Sequence, residues 1–196
     1  MRIYGDTQSG NCLKVKWTAD HLGLPYEWHD VDIMAGESRT EAFLKRNPFG
    51  QVPVLELDDG RTLAQSNAII GFLARDSELI PADAYSEARM RAWLFWEQYS
   101  HEPYIAVCRF HMVYLGKPAS EREGWRVERG EAALDVMEAH LKDRDWLVGD
   151  ALTLADISLL AYTRLAHEGG FDLAARPALR RWIAAAERAL GLAAVH

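Results

Sequence analysis

The chain has 196 residues, 49% of them hydrophobic and 26% charged, with a net charge of −7 and a pI near 5.5. That is ordinary globular material, long enough for one large domain or two small ones, and the lack of a basic patch or Lys/Arg run argues against a nucleic-acid partner. The two cysteines, Cys12 and Cys108, sit outside any disulfide or Cys/His metal spacing, and neither an apolar signal core nor a membrane-length run occurs, so the expected setting is a reducing cytoplasm with no metal and no membrane partner.

Residues 2–5 read as a short strand, followed by a polar turn through Asp6, Ser9, Gly10 and Asn11. Residues 12–22 mix apolar periods, but Gly23 is a C-cap signal and Pro25 a stop, which favours a helix. A second strand is expected over 26–31 and a short helix over 41–45. The most informative stretch is 47–68. Asn47-Pro48 with Gly50 marks a turn, and Gln51-Val52-Pro53 opens an apolar run that ends at Leu57. Asp58-Asp59-Gly60 makes an Asp-Gly reversal between antiparallel strands. Ser66 or Asn67 then supplies a helix N-cap. The order βαβαββα predicts an α/β domain over residues 1–78 with a mixed four-stranded sheet, parallel across strand–helix–strand and antiparallel across the hairpin.

Beyond Glu78 the texture changes. A linker is expected over 79–85 and an all-α helical bundle over 86–196. A long aromatic-rich helix spans 86–115 and is expected to kink at Pro103. A second helix covers 120–141, with Ala133, Leu134, Met137 and Leu141 at core spacing. Thr153 with Asp156 forms a capping-box-like pair between Leu152 and Ile157, which makes Asp156 structural. A last helix covers 177–190.

The 47–68 stretch has the layout to grip a peptide-like ligand. A proline at a strand's first residue costs the ladder nothing, and a cis Val52–Pro53 bond would let Val52 turn its N–H and C=O toward an extended ligand. The helix start at Ser66 offers N–H groups and a positive dipole end to a carboxylate. The plainer alternative is a hairpin with a capped helix.

Asn-Pro-x-Gly-Gln-Val-Pro, then Asp-Gly and Gln-Ser-Asn-Ala-Ile, resembles the glutathione-binding segment of the cytosolic glutathione S-transferase superfamily. The 150–157 segment resembles the N-capping box of the same family's helical domain. The resemblance spans nearly the whole chain and implies a thioredoxin-like first domain with a cis bond before Pro53. It implies that Val52 pairs backbone to backbone with the cysteinyl unit of glutathione, that Gln65 and Ser66 hold the γ-glutamyl end, and that Gln51 reaches the glycyl end. It further implies a bacterial-type glutathione transferase, a homodimer with a role in detoxification, using glutathione as co-substrate against a small, apolar electrophile.

Conjugation needs the thiolate, and a hydroxyl, an amide or a helix N-terminus can each lower a thiol pKa. In the resembled family the loop after the first strand carries the sulfur contact. No tyrosine stands there, since Tyr4 is inside the strand. Alignment with the serine-type classes (theta, delta, zeta) puts Ser9 first, with Asn11 second. Cys12 is third: it is similar to the cysteine of the beta class, which forms a mixed disulfide with glutathione, but stands one residue late. The alternative for Ser9 or Asn11 is a helix cap, and for Cys12 a small buried side chain. For a second-substrate pocket against the long helix, His101, Tyr104, Cys108 and Met112 share helical spacing, with Arg109 beside them; such a stripe can equally be core. Two other functions remain open on the same fold. One is a glutathione-dependent disulfide reductase or peroxidase, which also works through a thiolate. The other is a non-catalytic adaptor.

Overall fold

The computed structural model describes residues 1–194, in two units, Met1–Ser77 and a second that begins at Glu78. The last two residues of the expected helical region, Val195 and His196, lie outside the described residues.

In the first unit the strands β1 (Arg2–Gly5), β2 (Glu27–Asp30), β3 (Val54–Glu56) and β4 (Thr62–Ala64) form one sheet in the order β2-β1-β3-β4. β1 runs parallel to β2 and antiparallel to β3, and β3 is antiparallel to β4. The mixed four-stranded sheet expected from the element order is therefore present. The central strands show why their sequences are short and apolar: Ile3, Val54 and Leu55 are all fully buried, with neighbouring residues of β3 buried on opposite faces. The hairpin closes on Leu57 and Arg61, whose N–H and C=O meet at 2.9 Å, and Gly60 takes the left-handed conformation (φ 84°) that the three-residue loop needs.

Helix α1 (Gly10–His21) follows β1, α2 (Glu41–Arg46) follows β2, and α3 (Ser66–Leu73) follows β4. α1 mixes its apolar periods because it is buried around most of its circumference. Cys12, Val15 and Ala19 are in the core, and so are Lys14 and Thr18. It ends in a Schellman motif, with Leu24 N–H reaching the Ala19 carbonyl at 2.9 Å and Gly23 N–H reaching that of Asp20 at 3.0 Å.

The second unit contains α4 (Ala84–Trp96), α5 (Glu102–Arg109), α6 (Gly124–Leu141), α7 (Leu154–Thr163) and α8 (Pro177–Ala189). The all-α architecture matches expectation, but three details differ. Leu79, inside the expected linker, is buried and accepts the Leu154 N–H at 3.0 Å, so the chain is tied into this unit before α4 begins. The expected 86–115 helix is two α-helices with π-helical turns at Glu97–His101 and Phe110–Tyr114. Pro103 stands in the first turn of α5, where its missing N–H costs little; the wide turn just upstream absorbs the break that an interior proline would force. α6 starts at Gly124 rather than near Ser120, after a short 3-10 turn at Ala119–Glu121.

Asp156 does more than cap α7. Its Oδ2 accepts the Thr153 N–H and hydroxyl, both at 2.9 Å, while Oδ1 accepts the Leu147 N–H at 3.0 Å and the Trp182 indole N–H at 2.9 Å. Burial raises this carboxyl above its usual range and the four donors pull it back only in part. One carboxylate thus ties a loop, the start of α7 and the middle of α8. Asp156→Ala would strand those donors in the core, and is expected to lower unfolding stability by about 3 kcal/mol. Urea unfolding of the variant beside the parent checks this, and a loss within error would remove Asp156 as the anchor.

Candidate active site

The loop between β1 and α1 is wound tightly by its own backbone. Asp6 accepts the Gln8 N–H on its side chain at 2.8 Å and the Ser9 N–H on its carbonyl at 3.0 Å. Ser9 holds the N-cap position of α1 in extended backbone (φ −79°, ψ 121°), and its carbonyl accepts from Cys12 and Leu13. Its hydroxyl makes no capping bond and interacts instead with the Cys12 sulfur, half-buried in the loop.

Cys12 is fully buried. Its Sγ accepts the Asp6 N–H at 3.3 Å, and a Cβ on Gly5 would come within 3.1 Å of it and 2.8 Å of the Trp28 ring. Burial pushes the thiol up to about 12, with the Asp6 N–H and the Ser9 hydroxyl pulling weakly the other way. Such a group stays protonated at neutral pH and has no path to a disulfide partner.

The 47–68 stretch is shaped by Asn47, which is 1% exposed. Its Oδ1 accepts the Phe49 N–H at 3.1 Å and its Nδ2 donates to the Gln51 carbonyl at 2.7 Å, closing the turn. Gly50 is required twice over: its φ is 62°, and an added Cβ would lie 2.6 Å from Arg39 Nη1, which itself donates to the Phe49 carbonyl at 3.2 Å. The Val52–Pro53 bond is cis. Among the described residues Val52 has no partner for its backbone N–H or C=O. Gln51 is exposed and Pro53 buried.

At the far end of the hairpin Gln65, exposed, has φ 72° and ψ 111°, the only positive φ outside glycine among the described residues. Holding a non-glycine residue there costs on the order of 1–3 kcal/mol. It is Gln65, not Ser66 or Asn67, that takes the N-cap position of α3; Ser66 is the first helical residue, 5% exposed. Its hydroxyl donates to Asn11 Oδ1 at 3.0 Å, across 55 residues of sequence. The same oxygen accepts from Lys14 Nζ at 2.8 Å. Ser9, Asn11 and Ser66 thereby come into one neighbourhood at the adjacent starts of α1 and α3. Lys14 escapes a reading of the sequence because a lysine on a helix ordinarily faces water; only its place amid the buried residues of α1 marks it.

The five residues expected to line a second-substrate pocket do not share one open face. His101 is fully buried and bonds the Thr163 hydroxyl at 2.9 Å, Cys108 is 1% exposed, and Arg109 pairs with Glu168 at 2.5 Å. Tyr104 and Met112 are half-buried, with Tyr104 Oη accepting from Arg129 at 3.1 Å. Only His101 and Met112 fall in the π-helical turns; Tyr104, Cys108 and Arg109 keep regular spacing within α5, and the face is closed because Cys108 and Arg109 are buried in their own contacts.

Comparison with known proteins decides the family. Residues 8–76 match the model of the glutathione S-transferase N-terminal domain, and residues 104–188 that of the C-terminal domain. The chain belongs to the glutathione S-transferase family. It is similar to a glutathione S-transferase from Pseudomonas fluorescens, with 49% identity and a TM-score of 0.92 over 95% of this chain and 94% of that one. Glutathione S-transferase 3 of Zea mays is 32% identical over 93% of this chain and 86% of its own length. A maleylacetoacetate isomerase from Methylobacterium extorquens, solved with malonate and GSH bound, is 26% identical, with a TM-score of 0.80 over 97% of this chain and 94% of that one.

Among the described residues no group of three His, Cys, Asp or Glu is arranged to hold a metal ion, and no helix is long and apolar enough to cross a membrane. The candidate glutathione-site residues from Ser9 to Ser66 all fall inside the matched N-terminal domain. Both cysteines of this family member are buried, and burial raises the pKa of each. A disulfide-exchange reagent at mildly alkaline pH is expected to titrate no thiol in the native protein and both after denaturation. Rapid modification of Cys12 in the native state would contradict its burial and restore it as a candidate nucleophile.

Proposed function

We propose that this chain is a glutathione transferase that binds glutathione on its first unit and holds the tripeptide's sulfur as thiolate near Ser9 for attack on a small, apolar electrophile. The observation that carries this reading is the Ser66–Asn11 hydrogen bond, because it joins an anchor for the γ-glutamyl end to the loop that faces the sulfur. In this reading Val52 pairs its unpartnered backbone groups with the cysteinyl unit, while Gln65 and the start of α3 take the γ-glutamyl carboxylate. Gln51 takes the glycyl end, and Arg39, bonded to the adjacent Phe49 carbonyl, adds a cation there. Pro53 fixes the entry into β3.

The chemical step needs little from the protein beyond donors. The Ser9 hydroxyl donates to the sulfur and favours its ionised form. The thiolate then forms the sulfur–carbon bond, and the displaced electron pair leaves with the departing group or settles on the electrophile's own acceptor. Asn11 is the second donor. Cys12 has no covalent part, since it stays a buried thiol. Of the expected second-substrate residues, the half-buried Tyr104 and Met112 face the electrophile in this reading. By family resemblance the reading carries with it a homodimer and a cytoplasmic setting.

A second reading, glutathione-dependent disulfide reduction, is favoured by the same thiolate-stabilising loop; the burial of Cys12 removes only a route through a protein cysteine. Two measurements separate these readings from each other and from a non-catalytic adaptor. The protein is expected to be retained on immobilised glutathione and to melt at a higher temperature in its presence. It is then expected to turn over a halogenated nitrobenzene. Turnover confined to a glutathionyl disulfide would favour the reductase, and no retention with no shift in melting would sink both. Ser9→Ala is expected to raise the pKa of bound glutathione by about one to two units, with binding nearly kept. An unchanged thiolate titration would move the sulfur contact to Asn11.

A further inference from the structure

We infer that the second unit carries a ligand site of its own: a groove between α4 and α6, walled by Trp93 and Trp96 with Arg89 in its lining, that takes a small planar aromatic carboxylate. The inference does not depend on the reading of the first unit as a glutathione site.

Arg89, Ala92, Trp93 and Trp96 stand at helical spacing on α4 and so line one face of that helix. The π-helical turn after α4 packs on α6, but α4 itself packs on α7. The side chains between α4 and α6 leave a groove of about 310 Å³, lined by those four residues and by Val136 of α6. That volume is at the small end of ligand sites and suits one or two fused rings. Its walls are set before any ligand arrives. The Trp93 and Trp96 rings meet edge to face, with centroids 5.2 Å apart, and Trp93 meets the His140 ring at 4.9 Å. His140 is held in turn by the Leu147 carbonyl, 2.9 Å from its Nε2. Both tryptophans are only half-buried, so each keeps ring surface that a ligand can cover.

Charge decides what the groove can hold. Arg89 is half-buried, yet among the described residues it makes no hydrogen bond or ion pair. A helical arginine can pair with a carboxylate three or four residues away; here those positions are Tyr85, Ser86, Ala92 and Trp93. Carboxylates of the two flanking helices are engaged elsewhere. Glu87 pairs with Arg91 at 2.5 Å and Asp135 with Arg176 at 2.7 Å, while Glu138 accepts the N–H groups of Ala178 and Leu179 at 3.1 and 2.8 Å. The field of Arg89 reaches the wall behind Trp93. Burial first, then the charges of Arg144 and Arg89, lower the His140 pKa against the pull of the Leu147 carbonyl, so that ring is neutral at pH 7. A chain of net charge −7 thus holds an unpaired cation beside two indole rings. An aromatic carboxylate satisfies both features, its ring packing on the indoles and its two oxygens accepting from the guanidinium fork. A neutral ring leaves Arg89 without a partner, and an aliphatic anion leaves the indole walls in water.

The test titrates the full chain with 2-naphthoate and with its uncharged counterpart 2-naphthamide, by calorimetry and by the change in tryptophan emission, with and without glutathione. Naphthoate is expected to bind with a dissociation constant on the order of 100 µM, unaltered by glutathione, and to perturb the emission. Arg89→Gln is expected to weaken naphthoate about tenfold and to leave naphthamide, the weaker ligand, unchanged. Val136 is 49% exposed, so Val136→Trp fills the groove without touching the core, and is expected to abolish naphthoate binding. Both variants are expected to melt with the wild type and to match it on immobilised glutathione, so a failure of the glutathione reading would leave this result standing. Equal affinity for naphthoate and naphthamide, no binding at millimolar concentration, or binding that neither variant alters would each overturn the inference. A wild type that binds no naphthoate and sediments as a dimer, while Val136→Trp sediments as a monomer, would make the groove an interface between copies and overturn it too. If Val136→Trp does not fold, Arg89→Gln decides alone, and wild-type naphthoate affinity in that variant overturns it.

Discussion

One amide oxygen holds the candidate site together. Asn11 Oδ1 accepts from Lys14 Nζ within α1 and from Ser66 Oγ at the start of α3, and so fixes two segments 55 residues apart. The sheet alone would not do this. β1 and β4 are not neighbours but are separated by β3. Packing α1 beside α3 brings the two helix starts close, but helix packing tolerates shifts that a hydrogen-bonded triad does not. A ligand that spans from a carboxylate anchor to a sulfur contact needs that distance held, because its own length is fixed.

The second unit uses the same device for another end. Asp156 collects four donors from a loop, a helix start and a neighbouring helix, as Asn11 collects two. A polar acceptor removed from water is costly unless it is partnered, and once partnered it admits few arrangements, the more so the deeper it lies. The difference lies in what surrounds it. Asp156 is sealed in a core with nothing of the active-site loop near it in sequence, so its satisfaction is purely architectural. Asn11 is half-buried, at the start of a helix rather than inside a core.

Much of this was legible in the sequence, for definite reasons. Proline, glycine and Asp-Gly punctuation at Pro25, Gly23 and 58–60 fixed the element order, since each has few conformations to offer. The Thr153–Asp156 spacing announced the start of α7. Less legible was whatever depends on contacts distant in the chain. The periodicity of 86–115 reads as one helix, yet the two π-helical turns interrupt it, and composition does not encode a one-residue insertion. His101 and Cys108 were grouped by helical spacing and Arg109 by adjacency, which does not tell an open face from a packed one, and each is buried in its own contacts. The positive φ of Gln65 and the burial of Lys14 carry no local signature, because both are imposed by tertiary packing on residues that favour other environments.

The fate of Cys12 shows how the site divides its labour. A thiol in the loop after a first strand is an obvious candidate for nucleophile, but here the room it would need is filled by the Trp28 ring and the bare backbone of Gly5. Its sulfur takes a backbone N–H in the way a structural residue does, and burial holds its proton. In the proposed function, the serine hydroxyl and asparagine amide of the same loop stabilise a sulfur anion brought from outside, while the protein's own thiol stays protonated. In that proposal the reactive atom belongs to the ligand. The fold's contribution to it would be to fix where that atom sits, and the Asn11–Ser66 hydrogen bond is the observed tie between the loop after β1 and the start of α3.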